Sequence, residues 1–250
     1  MLLENKVAVI TGASRGIGKA IAAGFAREGA TCYVCGRKQE TLEQSARDLA
    51  GLPGRIVPYA CHVGKPEDLE RLVERATKES GRIDILVNNA ATNVAQGFSL
   101  SIDDGQFDKM IEVNLKSAFR LVRLAAPGMC ERGAGSIINI ASIAGLRPQF
   151  EGMMYSATKA ALIMMTKCWA LELGPKGVRV NAIAPGVIKT VLSEYYWKNE
   201  ERRDALLKRQ PIKHLGEVED VAEIAVLLAS DRASFMTGEV VVVDGGSTLA

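Results

Sequence analysis

The chain has 250 residues, 48% of them apolar and 24% charged, and its formal net charge is +2 at pH 7. This length and composition predict one α/β domain over residues 1–250. Acidic and basic residues are interspersed, which argues against binding to nucleic acid or to a membrane surface. No stretch approaches the ~20 apolar residues that cross a bilayer. We therefore expect a cytoplasmic protein whose partners are small molecules or copies of itself.

The first predicted elements form a strand, a glycine-rich turn and a helix. The apolar segment 6–11 predicts the strand, and the turn from Gly12 to Gly18 leads into a helix that continues to Phe25. Glycines let a backbone approach a pyrophosphate, and the free N–H groups at a helix N-terminus attract its charge. The spacing is G-x-x-x-G-x-G, not the commoner G-x-G-x-x-G. We interpret this turn as the phosphate loop of a dinucleotide site.

The second strand, 31–35, is followed by Gly36 and Arg37. An NAD site usually has Asp or Glu at this point, about 20 residues after the phosphate loop, where it bonds the adenosine ribose. Arg37 and Arg15 are instead two guanidinium groups that could hold a 2′-phosphate through charge-assisted hydrogen bonds. The sequence therefore predicts NADP(H) rather than NAD(H).

The five cysteines are scattered, and only Cys32 and Cys35 form a C-x-x-C pair. This pair lies in the predicted second strand, where residues three apart point to opposite faces of a sheet. No second pair and no nearby histidine completes a metal site. We expect free, buried thiols and no bound metal.

Strands and helices alternate along the rest of the chain. Further strands are predicted at 55–60, 83–87, 136–140, 178–183 and 239–243, and helices at 39–50, 66–80, 107–130 and 153–173. Such alternation is typical of a parallel sheet with helices on both faces and right-handed crossovers. We expect a Rossmann-type, doubly wound, seven-stranded fold.

The predicted helix 153–173 carries Tyr155 and Lys159 four residues apart, so that they share one helix face. A lysine ammonium about 5 Å from a phenol stabilises the phenolate by roughly 3 kcal/mol, or about two pKa units, at an effective dielectric constant of ~20. We expect Lys159 to lower the pKa of Tyr155 and to make it useful for proton transfer. The pair alone is weak evidence, because about 0.3 such pairs are expected by chance.

Further polar residues lie where predicted strands end. Asn88 and Asn89 follow the fourth strand and Ser142 follows the fifth, at the carboxyl edge where open α/β sheets bind ligands. Asn114 lies inside a predicted helix, where an asparagine usually bonds locally or faces solvent.

The alternating pattern breaks between residues 188 and 214. The aromatic residues Tyr195, Tyr196 and Trp197 of this insert could close over a substrate, or could pack against a helix or another subunit. His214, after the insert, is expected at the surface. With no Asp or second His at a suitable spacing, a Ser-His-Asp triad is excluded.

Together, these motifs resemble the short-chain dehydrogenase/reductase family over nearly the whole chain. They are Thr11–Gly18 (TGASRGIG), Asn88-Asn89-Ala90, Asn114, Ser142, Tyr155-x-x-x-Lys159 and Pro185-Gly186. The resemblance implies that Tyr155 donates the proton in ketone reduction and that Ser142 bonds the carbonyl oxygen. It also implies that Lys159 lowers the phenol pKa and holds the nicotinamide ribose, and that Asn114 binds a water in a proton relay.

The resemblance further implies which residues bind NADP(H). On the diphosphate side they are Gly12, Ser14, Arg15, Gly16, Ile17 and Gly18; on the adenosine side Arg37, His62, Val63, Asn89 and Ala90; and around the nicotinamide Tyr155, Lys159, Pro185, Gly186, Ile188 and Thr190. Two positions depart from the family pattern. His62 replaces the usual Asp that bonds adenine, and Ala91 replaces a glycine.

The segments around His62, Ala91 and Lys189 look closest to the branch of NADP-dependent carbonyl and retinal reductases and their bacterial relatives. This resemblance implies an alcohol dehydrogenase acting mainly as a reductase of ketones and aldehydes with broad tolerance. It also implies a homotetramer that pairs the long helices beginning near Phe107 and Met153 and the C-terminal segments.

Three other functions are compatible with parts of the sequence. A 3-oxoacyl-acyl-carrier-protein reductase has the same chemistry and would dock an acidic carrier on basic residues such as Lys116, Arg120 and Arg123, which could equally be a solvated helix face. Sugar oxidation needs a polar pocket, whereas Leu192, Phe150 and Trp197 indicate an apolar one. A non-catalytic NADP(H)-binding protein is disfavoured because all four catalytic positions are filled.

Overall fold

The chain folds around one seven-stranded, all-parallel sheet with strand order 3-2-1-4-5-6-7 in the computed structural model, which describes residues 1–249. Ala250, the last residue of the expected domain, lies outside the described residues. The strands are β1 (Val7–Thr11), β2 (Thr31–Gly36), β3 (Arg55–Ala60), β4 (Ile85–Asn88), β5 (Gly135–Ile140), β6 (Val178–Pro185) and β7 (Val240–Val243). The doubly wound Rossmann-type fold is confirmed.

Helices cover both faces of the sheet. They are α1 (Gly16–Arg27), α2 (Gln39–Asp48), α3 (Pro66–Ser80), α4 (Asp104–Ile111), α5 (Ser117–Arg132), α6 (Met153–Leu173), α7 (Glu194–Trp197), α8 (Glu200–Arg209) and α9 (Val218–Ala229). One core lies under α1, α2 and α9, with Phe25 and Val221 among its buried residues. The other lies under α3, α5 and α6 and includes Leu72 and Val122. In the described part of the chain no helix is long and apolar enough to span a membrane.

The strand order places the ligand-binding crevice at the carboxyl ends of β1 and β4. The chain builds β1, β2 and β3 outward to one edge, then returns to add β4 on the other side of β1. At this reversal the flanking loops diverge and leave a crevice, as in other open α/β sheets. The predicted glycine turn follows β1. Asn88 is the last residue of β4 and Asn89 follows it, so the turn and this segment both border the crevice.

The expectation of one uninterrupted helix over 107–130 was wrong. The helix begins at Asp104, where Asp103 and Gln106 form a capping box, and a π-helical turn at Glu112–Lys116 separates α4 from α5. A single π turn disturbs the helical hydrogen-bond pattern locally and is frequent at functional sites. It keeps the apolar periodicity almost unchanged, so sequence periodicity does not reveal it.

Cys32 and Cys35 pack into the two different cores, as expected for residues on opposite faces of β2. All five cysteines are free, and Cys32, Cys35 and Cys61 are buried. Burial raises the pKa of the Cys32 thiol, which keeps it protonated and unreactive. The structural interpretation of this C-x-x-C pair is therefore confirmed.

Candidate active site

The turn between β1 and α1 has a geometry that depends on its glycines. Gly12 and Gly16 have φ values of +64° and +59°, in the left-handed region that favours glycine. A Cβ at Gly18 would lie 2.5 Å from both Asn89 Nδ2 and Gly12 O, so only glycine fits there. The side chain of Arg15, at the N-cap of α1, makes no capping hydrogen bond. The first N–H groups of α1 therefore remain available to an anion.

Asn89 and Ala90 hold this turn against β4. Asn89 Nδ2 donates to the carbonyls of Thr11 at 2.8 Å and Gly12 at 3.1 Å. Thr11 Oγ1 accepts from the N–H groups of Asn89 and Ala90, each at 3.0 Å. These bonds fix the loop shape in the absence of any ligand. The predicted contacts of Asn89 and Ala90 with an adenosine ribose stay a prediction.

Arg15 and Arg37 are both exposed, and no hydrogen bond or ion pair within residues 1–249 engages either side chain. Their loops are close, since a Cβ built on Gly36 would lie 3.5 Å from Ser14 Oγ. Two unpaired guanidinium groups at the carboxyl ends of β1 and β2 fit the charge of a 2′-phosphate. This observation supports the predicted NADP(H) site without testing it.

His62 lies just after β3, where the family pattern has Asp. Its backbone N–H donates to Asp68 Oδ2 at 2.8 Å, and its Nδ1 accepts from the N–H of Gly64 at 3.1 Å. A neutral ring with Nδ1 as acceptor carries its proton on Nε2. His62 therefore offers a donor where an Asp would offer acceptors. Val63 packs against the core beside it, and contact of either residue with adenine stays a prediction.

A cavity of about 110 Å³ opens at the carboxyl ends of β4, β5 and β6. Of the residues predicted for the site, it is lined by Ile17, Asn89, Ser142, Tyr155, Lys159, Pro185, Gly186, Ile188 and Thr190. Those that do not line it are Gly12, Ser14, Arg15, Gly16, Gly18, Arg37, His62, Val63, Ala90 and Asn114. The first group brings Ser142, Tyr155 and Lys159 together with the nicotinamide-side positions and with Ile17 and Asn89. Most of the second group borders the crevice toward β1, β2 and β3, and Asn114 does not reach the cavity.

Tyr155 and Lys159 project from the first turns of α6 into this cavity. Lys159 Nζ lies 5.6 Å from the centroid of the Tyr155 ring and donates to the carbonyl of Ile140 at 2.7 Å. Burial raises the pKa of Tyr155 to about 12, while a hydrogen bond with Ser142 lowers it in part and nearby Tyr196 raises it. Burial also lowers the pKa of Lys159 to about 8.

The expectation that Lys159 lowers the pKa of Tyr155 was therefore wrong for this structure. Both groups lose hydration, and desolvation disfavours the phenolate as well as the ammonium. The ammonium also lies over the ring face and is bonded to Ile140 O. The phenol is protonated at neutral pH, as a tyrosine of ordinary pKa also is.

Ser142 is positioned by a short turn after β5. Its Oγ accepts from the N–H of Ala144 at 3.1 Å. The same turn packs directly on α6, since a Cβ on Gly145 would lie 2.6 Å from the carbonyl carbon of Lys159. This close approach holds Ser142 beside Tyr155 and explains why glycine occupies position 145.

Asn114 is 2% exposed and joins three parts of the site. Its Oδ1 accepts from the N–H of Thr92 at 2.8 Å, and its Nδ2 donates to Thr92 O at 3.0 Å and Thr158 Oγ1 at 3.1 Å. Thr158 in turn donates to the carbonyl of Tyr155 at 2.9 Å. Because its side chain is engaged in this way, Asn114 positions α6 and the loop after β4. Its predicted role in binding a water stays a prediction.

The insert 188–214 forms a short helical turn, α7 and α8, and only part of it faces the cavity. Tyr196 Oη bonds Gln149 Nε2 and lies close enough to Tyr155 to affect its pKa. Trp197 Nε1 instead donates to Thr190 O at 3.1 Å, which holds the insert to its own start. His214 is exposed, as expected. None of Tyr195, Tyr196 and Trp197 lines the cavity, and closure of these side chains over a substrate stays a prediction.

Sequence reasoning missed Asn93 and Gln149, two amide side chains that line the cavity. The expectation of an apolar pocket was wrong in this respect: Phe150 is 77% exposed, and of the three apolar residues on which it rested only Leu192 lines the cavity. Asn93 lies shortly after the Asn88-Asn89 segment, and Gln149 follows Ser142 by seven residues. Both are in loops, whose path no periodic pattern predicts.

We expect Lys159 to make the stability of the cofactor-free protein depend on pH. Its pKa is about 8 in the fold and 10.5 ordinarily, so the unfolded chain binds the proton more tightly. The resulting penalty, of about 3 kcal/mol at most, is fully present below pH ~8 and fades as pH rises toward ~10.5. Urea unfolding at about pH 7 and about pH 10 should show wild type gaining stability relative to Lys159→Met. A difference that stays constant with pH would contradict this expectation.

The glycine turn at the sheet's point of reversal and the Ser142, Tyr155 and Lys159 side chains in one cavity define a dinucleotide-dependent oxidoreductase of the α/β class. Residues 12–248 match the family model described as enoyl-(acyl carrier protein) reductase. The chain is 42% identical over 245 residues to human "Dehydrogenase/reductase SDR family member 4", covering 98% of this chain and 88% of that protein. The chain therefore belongs to the short-chain dehydrogenase/reductase family.

Two further similarities bear on function. A 3-oxoacyl-acyl-carrier-protein reductase from Thermotoga maritima is 39% identical over 246 residues, covering 98% of this chain and 99% of that protein. The crystal structure of a putative NAD(P)-dependent gluconate 5-dehydrogenase from Beutenbergia cavernae, with NADP bound at low occupancy, superposes with a TM-score of 0.94 at 33% identity, covering 99% and 98% of the two chains. Membership of this family means that the chain is a nicotinamide-dependent oxidoreductase. Relatives with different activities have similar sequence identities to this chain, 42% and 39%.

Proposed function

We propose that this protein is an NADP(H)-dependent reductase of ketones or aldehydes, of the carbonyl reductase type, which also catalyses the reverse oxidation of alcohols. The observation that carries the proposal is the cavity shared by Ser142, Tyr155 and Lys159, next to a crevice bordered by the unpaired Arg15 and Arg37. The human SDR relative at 42% identity and the NADP-bound structural neighbour support it further.

In this mechanism the side chains place the carbonyl oxygen and protonate it. Bound NADPH supplies the hydride for the carbonyl carbon. Ser142 and Tyr155 donate hydrogen bonds to the oxygen, where negative charge develops in the transition state. Tyr155 then gives up its proton to that oxygen as the negative charge develops there. Lys159, whose ammonium lies beside the phenol, would bond the nicotinamide ribose.

NADP(H) fits the residues that surround the crevice. The N-terminus of α1 offers free N–H donors to a diphosphate, and Gly12, Gly16 and Gly18 let the turn pack closely enough to present them. Arg15 and Arg37 would hold the 2′-phosphate. Around the nicotinamide, Pro185, Gly186, Ile188 and Thr190 would form the wall facing Tyr155.

A second candidate is a 3-oxoacyl-acyl-carrier-protein reductase, favoured by the relative at 39% identity. The contacts of the basic residues that could dock an acidic carrier disfavour this function. Lys116 and Arg120 both form ion pairs with Glu112, and Arg123 lies 5.5 Å from the centroid of the Phe119 ring. The Glu112 carboxylate partly neutralises Lys116 and Arg120, which weakens their attraction to an acidic partner, while Arg123 keeps its full charge.

A substrate panel separates these candidates. Oxidation of NADPH and of NADH would be followed with aryl ketones, diketones, retinal and an acetoacetyl thioester. We expect NADPH to be preferred and ketones and aldehydes to be reduced with higher kcat/KM than the thioester. Preference for the thioester would replace the proposal with the carrier-protein reductase. Tight NADPH binding without turnover of any substrate would indicate a non-catalytic NADP(H)-binding protein.

A homotetramer and a cytoplasmic location are also proposed. Apolar side chains are exposed on α6, where Met164 is 58% and Leu171 80% exposed, and at the starts of the two long helical segments, at Phe107 and Met153. Pairing of these surfaces would bury them. Light scattering should give four times the mass of one chain, and a single-chain mass would contradict the tetramer.

The proposed cytoplasmic location is supported by the five free cysteines, since free thiols are typical of a reducing compartment.

A further inference from the structure

The insert 188–214 lines the cavity only near its start, through residues such as Leu192 and Ser193. Its far end is attached to the protein in a different way. Helix α8 has no buried residue. Between residues 189 and 216, Gln210 is the one buried residue, with 3% of its surface exposed. Because this residue is polar, hydrogen bonds rather than apolar packing attach the far end of the insert.

The Gln210 side chain has hydrogen-bond partners at both ends of its amide. Nε2 donates to the carbonyls of Ile212 at 2.5 Å and His214 at 2.6 Å, and Oε1 accepts from Ser247 Oγ at 2.9 Å. A backbone carbonyl can only accept, so these contacts determine which end of the amide is the NH₂ group. The first two bonds shape the end of the insert itself. The third leaves the insert and reaches the C-terminal segment, residues 244–248.

Ser247, which is 7% exposed, joins the end of the insert to the catalytic side of the cavity. Its backbone carbonyl accepts a hydrogen bond from Arg147 Nη2. Arg147 lies on the short segment that runs from Ser142 to Gln149, and both of these end residues line the cavity. One residue thus contacts the segment that carries Ser142 through its carbonyl and the insert through its hydroxyl.

The C-terminal segment is itself held in place by short contacts. The Asp244 carboxylate accepts from the N–H groups of Gly246 at 2.8 Å and Thr248 at 2.7 Å. The carbonyl of Asp244 also shares the proton of the Ser247 hydroxyl, at 2.8 Å. A Cβ on Gly186 would lie 2.8 Å from the Cα of Asp244, so the segment packs directly against a residue that lines the cavity. The segment therefore offers a fixed base for the end of the insert.

We propose that Gln210 and Ser247 are positioning residues for the substrate: their hydrogen bond holds the far end of the insert on the C-terminal segment and so keeps the wall at Leu192 and Ser193 in place opposite Ser142. This inference rests on the proposed carbonyl reductase function and adds that the ketone-binding wall is held from outside the cavity, since neither residue lines it. Without this bond the insert takes up further arrangements, and the apparent affinity for the ketone falls with the fraction that is competent to bind.

The test is a split between KM and kcat in Ser247→Ala. We expect KM for an aryl ketone to rise about 5- to 20-fold, because Gln210 Oε1 stays buried without a donor, while kcat changes less than about threefold. NADPH affinity, measured by fluorescence titration, should change less than about threefold, since the residues proposed for its phosphates lie outside the insert. Ser247→Thr keeps the hydroxyl and should keep KM within about twofold of wild type.

Gln210→Met is a second variant in case Ser247→Ala disturbs folding, and it should raise KM at least as much. Because both residues act through one bond, the double variant should have the same KM as Gln210→Met alone. A sum of two independent effects would contradict the proposed pairing.

Ser136→Ala is the matched control, because the buried Ser136 hydroxyl donates to the carbonyl of Leu228 at 2.9 Å, near the start of β5 and away from the cavity. It should lower thermal stability about as much as Ser247→Ala and leave KM unchanged. If Ser247→Ala and Gln210→Met lowered thermal stability but kept KM within about twofold, the inference would be overturned, while ketone reduction by wild type would leave the proposed function intact. If wild type reduced no ketone, the proposed function would fail and the inference with it.

Discussion

Replacement of Tyr155 by phenylalanine is expected to lower kcat for ketone reduction about 10³-fold, because the phenol that hydrogen-bonds Ser142 in the cavity is the proposed proton donor. The ring of phenylalanine fills the same space, so the affinity for NADPH should change less than about threefold. Initial rates with an aryl ketone and fluorescence titration with NADPH measure the two effects separately.

The matched control is Tyr59→Phe, on β3 and far from the cavity, where the Arg75 guanidinium carbon lies 5.3 Å from the centroid of the ring. It should keep the wild-type kcat. A Tyr155→Phe enzyme that retained the wild-type rate would remove the proton donor from the mechanism. Loss of NADPH binding together with activity would mean that the substitution damages the site as a whole.

The second large effect is expected on cofactor preference. Arg15→Ala combined with Arg37→Ala should lower the ratio of kcat/KM for NADPH over NADH by about 10²- to 10⁴-fold, since charge-assisted hydrogen bonds contribute about 1.5–3 kcal/mol each. Both side chains are exposed and without partners among the described residues, so their removal should leave the fold intact. Steady-state kinetics with both cofactors at a fixed ketone concentration measure the ratio.

Lys38→Ala is the control for this experiment, because Lys38 is an exposed cation directly after Arg37. A loss of general positive charge would change the cofactor preference in both the double variant and Lys38→Ala, whereas a specific phosphate contact would change it in the double variant alone. If the double variant kept its preference for NADPH within about twofold, the assignment of Arg15 and Arg37 would be contradicted.

The fold and the meeting of Ser142, Tyr155 and Lys159 in one cavity could be predicted because their signals are local. Alternating strands and helices, the glycine turn and the four-residue spacing of Tyr155 and Lys159 depend on backbone geometry. The strand ends differ from the predicted ones by at most two residues. The π turn around Asn114 escaped prediction, because one widened turn leaves the apolar pattern of a long helix nearly unchanged.

The electrostatics of the site could not be predicted from spacing. The sequence places an ammonium near the phenol, but the direction of the pKa shift of Tyr155 depends on how far both groups are desolvated. Burial is a property of the tertiary structure. Asn93 and Gln149 were missed for a related reason, since they reach the cavity from loops whose path depends on packing against the insert.

The most direct test of the central claim is the fate of the transferred hydride. Wild-type protein would reduce an aryl ketone with NADPH that carries deuterium at the transferred position of the nicotinamide, and mass spectrometry would locate the label. The account predicts an alcohol with one deuterium on the carbon that bears the hydroxyl, and its near absence with Tyr155→Phe. An alcohol without deuterium at that carbon, or no alcohol from any ketone despite bound NADPH, would contradict it.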